Sequence, residues 1–276
     1  MGTPSFLTAS ARDWTPSRLL DAFILVNVAF LALDIYLAHS VNDFEHPAEW
    51  TPFGYSLAAP VVMIVAFVLG RRDRRTSDRL LRIVGWGGVI IGVSGMVFHL
   101  GSHFFAAQTL VSLVYAAPFA APLAYTGLGL LTIMSRMVAP GEREWGQWVL
   151  LLAAGGFAGN FVLGLTDHAQ NGFFHFTEWI PVISSAFAIT VLLMACRTRV
   201  EPGYIRLSAV VMLVQIIVGL LGFWCHGRAN LAAAGDNVKD AFVYGAPVFA
   251  PLLFPDLALL GMLGLWAVAR RGADEA

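Results

Sequence analysis

Charged side chains are scarce in this chain. Only 13% of its 276 residues are Asp, Glu, Lys or Arg, whereas 58% are apolar and the mean hydropathy is +0.71. A soluble domain of this size carries about a quarter charged residues, so the composition excludes an ordinary soluble enzyme. Apolar runs of about 20 residues are the signature of membrane-spanning helices. The sequence therefore predicts an all-α integral membrane protein that contacts the lipid bilayer.

Cysteine is rarer still, with two residues in the chain. The sequence motifs of several enzyme classes are also missing. Cys196 and Cys225 are predicted at opposite ends of neighbouring spans, too far apart for a disulfide between them. Neither belongs to a C-x2-C pair, which disfavours a thiolate metal site. The sequence shows no G-x-S-x-G motif, phosphate-binding loop or dinucleotide fingerprint, and no basic surface for nucleic acid. Serine hydrolases, nucleotide-dependent enzymes and nucleic-acid-binding proteins are therefore disfavoured.

Eight apolar runs are long enough to cross a membrane. The first 18 residues are polar, and no A-x-A cleavage site follows the first run, so that run is expected to be retained as a span. The predicted spans are Leu19–His39, Gly54–Gly70, Leu80–His103, Leu110–Arg136, Trp145–Asp167, Phe176–Cys196, Ile205–His226 and Phe242–Arg270.

Basic residues are confined almost entirely to alternate loops. All 17 Lys and Arg residues except Arg228 and Lys239 lie before span one, after span eight, or between spans two and three, four and five, or six and seven. The positive-inside rule then predicts that both termini and these loops are cytoplasmic, as in a bacterial inner or plasma membrane. The remaining loops are acidic and are predicted to face outward; they carry Asp43, Glu45, Glu49, Glu178, Asp236 and Asp240.

An unusual pattern, H-x6-H-x2-E-W-x-P, occurs twice. It reads HSVNDFEHPAEWTP from His39 and HAQNGFFHFTEWIP from His168, a shift of 129 positions. At the same shift, VYAAPFAAPL in the first half matches VYGAPVFAPL in the second. Between these blocks the shift is 127, and it superposes His99 on His226.

These matches predict an internal duplication. Residues 1–140 would form a first repeat of four spans, and residues 141–276 a second. Because each copy has an even number of spans, both copies have the same orientation. The predicted fold is therefore a parallel 4+4 tandem repeat with a pseudo-twofold axis along the membrane normal.

All seven histidines fall in one layer, at or just beyond the outer ends of spans one, three, five and seven. Glu49 follows His46 by three residues and Glu178 follows His175 by three, so each pair is expected to share a helix face, as are His99 and His103. Imidazole and carboxylate ligands suit Fe, Cu, Zn or Mn. The predicted metal ligands are His39, His46, Glu49, His99, His103, His168, His175, Glu178 and His226.

A second interpretation of the same layer is haem binding. A b-type haem needs two axial histidines from different spans at matched depth, and His39 with His99 and His168 with His226 would supply two such pairs. This layout, two related four-span bundles with histidine pairs, is similar to that of haem A synthase. The outer loops lack the glutamate-to-histidine order and the cysteines expected of that family, so the resemblance covers the layout alone.

The favoured function is a metal-dependent membrane oxidoreductase that uses Fe or Cu, with Zn as a further option. Apolar residues around the layer, including Phe104, Phe105, Phe173 and Phe174, suit a quinol, a lipid or another apolar substrate. Haem-based electron transfer and metal-ion transport are the alternatives, and a non-catalytic subunit of a membrane complex stays open. We identify no carboxylate or histidine at mid-membrane depth, which counts against a transporter. Asp34 and Asp167 could orient a ligand or cap a helix end.

Overall fold

The chain forms a bundle of helices. A computed structural model describes residues 15–197 and 200–274, and these contain α-helices and short 3-10 turns but no β-strand. Seven of the described helices are long and apolar enough to cross a membrane, which makes the protein a multi-pass helical membrane protein. The helices are α1 Pro16–His39, α2 Trp50–Leu69, α3 Arg74–Gly101, α4 Phe104–Ala107, α5 Leu110–Val114, α6 Leu123–Met137, α7 Arg143–Gln170, α8 Trp179–Ala195, α9 Pro202–Ala233, α10 Val238–Tyr244 and α11 Leu253–Asp274.

Some parts of the sequence prediction lie outside the described residues. They include Arg12 and Arg199, which contributed to the predicted orientation, and the outermost ends of the two predicted repeats.

Local capping signals set where the long helices begin. Thr15 accepts a hydrogen bond from the Arg18 backbone N–H at 3.4 Å, and proline follows at the first position of α1. Asp73 caps α3 by accepting from the Thr76 backbone N–H at 3.1 Å. The hydrogen bonds from Thr76 hold the pKa of the Asp73 carboxyl below its usual range. Thr15 and Asp73 therefore mark the N-terminal ends of α1 and α3, beside the basic residues that flank these spans.

The predicted fourth span is interrupted. Helix α5 ends at Val114, residues 115–122 are largely non-helical, and α6 then runs for only 15 residues. Pro118 and Pro122 lie in this gap, and proline lacks the N–H that would continue a helix. At 1.5 Å per residue α6 is about 22 Å long, shorter than the other spans. The structure therefore contains seven full-length candidate spans where eight were predicted.

The predicted eighth span is interrupted in the same way. It was expected to begin at Phe242, but α10 ends at Tyr244 and α11 begins at Leu253. Pro247 and Pro251 lie between the two helices. In both halves the prolines break the helix rather than bend it, and the residues between the two helices form turns that lie against the preceding long helix.

Glycines allow these interrupted spans to pack closely on the long helices. A Cβ atom on Gly129 of α6 would lie 2.4 Å from the carbonyl oxygen of Gly85 on α3. In the other half, a Cβ atom on Gly219 of α9 would lie 2.3 Å from Cδ of Pro255. Small residues of this kind let helix backbones approach each other inside a membrane. The close packing holds the two proline-rich segments beside α3 and α9.

One hydrophobic core joins the two halves. Leu20 and Ile24 of α1, Trp145 and Leu150 of α7, and Leu260 of α11 are almost completely buried and belong to the same cluster. The halves are therefore packed against each other as one body.

We predict that Gly129→Ala destabilises the protein and that Gly127→Ala does not. Alanine favours a helix by up to about 1 kcal/mol relative to glycine, but at position 129 the new methyl group would overlap α3, which costs about 1–3 kcal/mol. No atom outside its own helix lies within 4 Å of a Cβ atom at position 127. Thermal unfolding in detergent should therefore show a lower Tm for the first variant and an unchanged or higher Tm for the second. Equal Tm values would contradict the observed packing of α6 on α3.

Candidate functional site

The seven histidines divide into two classes by burial. Those of the first class are half-buried, and those of the second are exposed. The half-buried histidines are His39, His99, His168 and His226, and the exposed ones are His46, His103 and His175. The half-buried class is the set that the sequence predicted as axial haem ligands.

The first histidine site is formed by His39, Glu49 and His99. His39 is the last residue of α1, and its Nδ1 lies 3.4 Å from Oε2 of Glu49. The side-chain N–H of Asn42 donates to the other carboxylate oxygen at 2.8 Å, which fixes the orientation of Glu49. The imidazole rings of His39 and His99 have centroids 6.2 Å apart and are inclined at 68°. His99 Nδ1 lies 3.0 Å from the carbonyl oxygen of Pro118.

The second histidine site is formed by His168, Glu178 and His226, and its His–Glu and His–carbonyl contacts match those of the first. His168 Nδ1 lies 3.6 Å from Oε2 of Glu178, and His226 Nδ1 lies 2.9 Å from the carbonyl oxygen of Pro247. Each site therefore joins the ends of two long helices, one acidic turn and one proline-rich segment.

These contacts leave one ring nitrogen available on each half-buried histidine. The carbonyl oxygens beside His99 and His226 can only accept, so Nδ1 of each neutral ring carries the proton. The carboxylates beside His39 and His168 favour the same tautomer. The Nε2 atom is then the one with a free lone pair. Histidines that bind metals are commonly held in this way, with the other nitrogen donating to a carboxylate or a backbone carbonyl.

An aromatic cover lies over each acidic turn. Phe44 and Phe173 have left-handed backbone conformations, with φ of 54° and 51°, which are uncommon for bulky residues and concentrate at functional sites. Their rings stack on Trp50 and Trp179 at centroid distances of 4.3 and 4.0 Å, and lie 5.7 and 6.0 Å from the rings of His39 and His168. In each site a stacked Phe–Trp pair therefore lies beside one of the half-buried histidines.

One carboxylate oxygen in each site has no hydrogen-bond partner. Oε2 of Glu49 and Oε2 of Glu178 are buried and accept no hydrogen bond in the described part of the chain. A buried polar atom without a partner is unfavourable. Each of these atoms faces an imidazole at ion-pair distance, so positive charge on or beside that ring would compensate it.

The structure does not gather the nine predicted metal ligands into one centre. His46 and His175 directly precede the turns Pro47–Glu49 and Phe176–Glu178, and both are exposed. Glu49 contacts His39 across the turn instead of sharing a face with His46. Within residues 15–197 and 200–274, no group of three or more His, Cys, Asp or Glu side chains is arranged to hold a metal ion.

His103 also departs from the expectation. Helix α3 ends at Gly101, and His103 directly precedes the short helix α4, so His99 and His103 do not share a helix face. The prediction assumed that helix α3 continues to His103. The helix ends at Gly101 instead, so its periodicity does not extend to His103.

Sequence reasoning missed a polar pair deep in the bundle. The side-chain amide of Asn27 donates to Oδ1 of Asp256 at 2.9 Å. Asn27 lies eleven residues after the start of α1 and twelve before its end, so Asp256 is a carboxylate at mid-membrane depth. The expectation that this depth holds no carboxylate is therefore wrong. The sequence contained a signal for this pair, because Asp256 is an acidic residue inside the apolar run of the predicted eighth span.

The chain matches no protein-family model, no curated protein and no solved structure. Its class is therefore defined by the fold and the site: a multi-pass helical membrane protein with two paired-histidine clusters. The function has to be inferred from those clusters.

We predict that the two histidine classes differ in reactivity toward diethyl pyrocarbonate in detergent. His46, His103 and His175 should be modified quickly because their rings are exposed, whereas the four half-buried histidines should react slowly. Peptide mass spectrometry at short reaction times measures this residue by residue. Equal rates for His46 and His39 would show that the acidic turn and its aromatic cover do not shield the first site.

Proposed function

We propose that the protein is a membrane redox protein that binds iron as haem b at its two histidine sites. The observation that carries the proposal is the state of the four half-buried imidazoles. The Nδ1 atoms of His99 and His226 lie within hydrogen-bond distance of carbonyl oxygens, and those of His39 and His168 lie at ion-pair distance from glutamate oxygens, so Nε2 of each ring would be available to a bound iron. His39 and His99 would bind one haem, and His168 and His226 the other.

The number of ligands favours haem over a bare metal ion. A bare transition-metal ion in a protein generally takes three or four protein ligands, whereas a haem iron needs only one or two because the porphyrin supplies the others. The rings of His39 and His99 have centroids 6.2 Å apart, so both imidazoles lie close enough to serve one bound group.

A non-haem iron or copper centre is the second candidate. It is favoured by the unpartnered Oε2 atoms of Glu49 and Glu178, either of which could become a third ligand after a small side-chain movement. In both candidates the bound metal would supply one-electron exchange. The glutamates would hold the ligating imidazoles, and the Phe–Trp covers would exclude water from them.

We further propose that the fold is an eight-span parallel repeat of residues 1–140 and 141–276. Matching contacts support the duplication: each His–Glu contact, each Phe–Trp stack and each His–carbonyl contact of one half has a counterpart in the other. Helix α6 and the segment before it would form the eighth span. With the basic loops in the cytoplasm, both termini are cytoplasmic and both histidine sites face the other side, where an apolar reductant such as a quinol could reach them from the outer leaflet.

We predict that the purified protein shows a Soret band and contains about two irons per chain, one for each axial pair. His99→Ala and His226→Ala should each remove about half of the haem absorbance, because each removes one axial ligand. The double variant should remove all of it. Absorption spectra of reduced and oxidised protein, with elemental analysis of the same samples, measure this.

The exposed histidines provide matched controls. His46→Ala and His175→Ala should leave the Soret band unchanged, since neither ring contacts the paired imidazoles. Iron or copper without a Soret band would favour the non-haem centre. A preparation that was expressed with ample haem and metal and contains neither would overturn the proposal.

A further inference from the structure

A groove of about 430 Å³ lies between α8 and α9 in the second half of the chain. Its walls are one face of residues 180–187 on α8 and one face of residues 211–218 on α9. The lining side chains are apolar except for those of Ser184 and Gln215. Ligand sites in proteins have volumes of about 300–1,000 Å³ and combine apolar walls with a few polar groups, so this α8–α9 groove has the size and the lining of a ligand site.

The α8–α9 groove is accessible from lipid. The lining residues Ile183, Phe187 and Val214 have 52%, 62% and 44% of their surfaces exposed. Apolar side chains exposed on a membrane-spanning helix face the acyl chains of the bilayer. A lipid-soluble molecule can therefore reach the groove sideways, without passing through water.

One end of the groove adjoins the second histidine site. Ile180, a lining residue, directly follows Trp179. The ring of Trp179 stacks on Phe173, which lies beside His168. From that end the groove continues along α8 toward the middle of the membrane.

Gln215 places an unsatisfied hydrogen-bond acceptor in the groove. Its side chain is buried, with 0% of its surface exposed, and its Nε2 donates to the backbone carbonyl oxygen of Ser184 at 3.2 Å. That oxygen can only accept, which fixes the orientation of the amide. Its Oε1 has no hydrogen-bond partner among the residues that the structure describes. An unpaired acceptor at membrane depth is unfavourable, so a molecule in the groove that donates a hydrogen bond would compensate it.

The first half of the chain fills the equivalent position with one of its own side chains. At the shifts of 129 and 127 that relate the halves, Ser184 corresponds to Tyr55 and Gln215 corresponds to Gly88. A Cβ atom on Gly88 would lie 3.1 Å from the hydroxyl oxygen of Tyr55, so the tyrosine side chain lies against α3 where the glycine leaves room for it. In the second half a serine replaces this large side chain.

Tyr55 indicates which kind of molecule fits between these two helices. Its ring carries a hydroxyl group that donates to the backbone carbonyl oxygen of Val84 at 2.7 Å. Val84 corresponds to Val211, which lines the groove. The first half thus holds an aromatic ring with an O–H group at this position and satisfies it internally, whereas the second half leaves an acceptor without a donor.

We propose that the α8–α9 groove binds a quinol, a hydroxylated aromatic ring with an apolar tail, and that one quinol O–H donates to Oε1 of Gln215. The ring would lie between α8 and α9 as the ring of Tyr55 lies between α2 and α3. Neighbouring atoms cover Oε1, so binding includes a small rotation of the Gln215 side chain. Gln215 lies eleven residues before His226, or about 16 Å along α9, a depth at which the acyl chains of bulk lipids carry no hydrogen-bond donor.

The binding itself needs no bound metal. Only the identification of the bound quinol as the substrate of the redox sites rests on the proposed function.

The test measures equilibrium binding of an alkylated hydroquinone to the full chain in lipid nanodiscs, under anaerobic conditions that keep the probe reduced. The reference ligand is the dimethyl ether of the same hydroquinone, which has the same ring and tail but no O–H group. Binding is counted above that of protein-free nanodiscs. The wild type should bind the hydroquinone about tenfold more tightly than the ether, because only the hydroquinone can donate to Gln215.

Two variants and a control locate the site. Gln215→Met keeps the approximate size of the side chain and removes the acceptor, so it should abolish the difference between the two ligands. Ser184→Tyr, Val214→Gly and Gln215→Gly together reproduce the residues of the first half at these positions and should remove saturable binding of both ligands. Ile217→Ala changes an exposed residue of α9 outside the groove and should leave both affinities unchanged.

Thermal unfolding in detergent establishes that each variant is folded, and the comparison of the two ligands on the wild type depends on no variant. Equal wild-type affinities for the hydroquinone and its ether, or no saturable binding of the hydroquinone, would overturn the inference. Undiminished binding in the triple variant would do the same. Tighter binding of a diacylglycerol than of the hydroquinone would assign the groove to a lipid hydroxyl group and reject the quinol.

The same preparations separate this inference from the proposed function. Gln215-dependent binding of the hydroquinone to protein without a Soret band or bound metal would reject the redox proposal and retain the quinol groove. A normal Soret band in protein without such binding would do the reverse.

Discussion

A polar group inside a bilayer has to find its hydrogen-bond partner within the protein, because no water is available there. Most features of this structure are consequences of that constraint. The backbone satisfies it by forming helices, and the two proline-rich interruptions satisfy it by lying against long helices. The carbonyl oxygens of Pro118 and Pro247 are exposed by those interruptions, and they are the groups that hold His99 and His226. Breaking the helix thus creates the acceptor that orients the histidine.

The same need for a partner within the protein applies to His39 and His168, which face the carboxylates of Glu49 and Glu178. Each glutamate lies in a turn between two spans and is brought back over the end of the preceding helix by a residue in the left-handed conformation, Phe44 or Phe173. The strained backbone directs the chain so that the carboxylate meets His39 or His168. In the proposed sites the imidazoles, the carboxylates and the aromatic covers act as one unit, with the carboxylate compensating positive charge on the ligating ring.

The two halves use one scaffold with different interiors. They share the histidine, glutamate and aromatic residues at one end, but α1 carries Asp21, Asn27 and Asp34 where α7 carries Leu150, Gly156 and Leu163. A duplicated fold can retain a site in both copies while the interiors of the two copies diverge. In the proposed function both halves exchange electrons.

By itself the sequence determined the membrane class and the locations of seven spans, although the last helix begins at Leu253 rather than at Phe242. It also named His39, His99, His168 and His226, the four histidines that are half-buried, as possible axial haem ligands. Composition and apolar run length fix the class because the hydrocarbon core tolerates few charges, but the repeated pattern alone does not separate buried from exposed histidines, since it also contains His46 and His175. Only the tertiary structure decided that Glu49 contacts His39 rather than His46, that His103 lies beyond the end of α3, and that Asp256 contacts Asn27. Those contacts depend on turns and on the packing of helices distant in sequence, and helical periodicity carries no information about either.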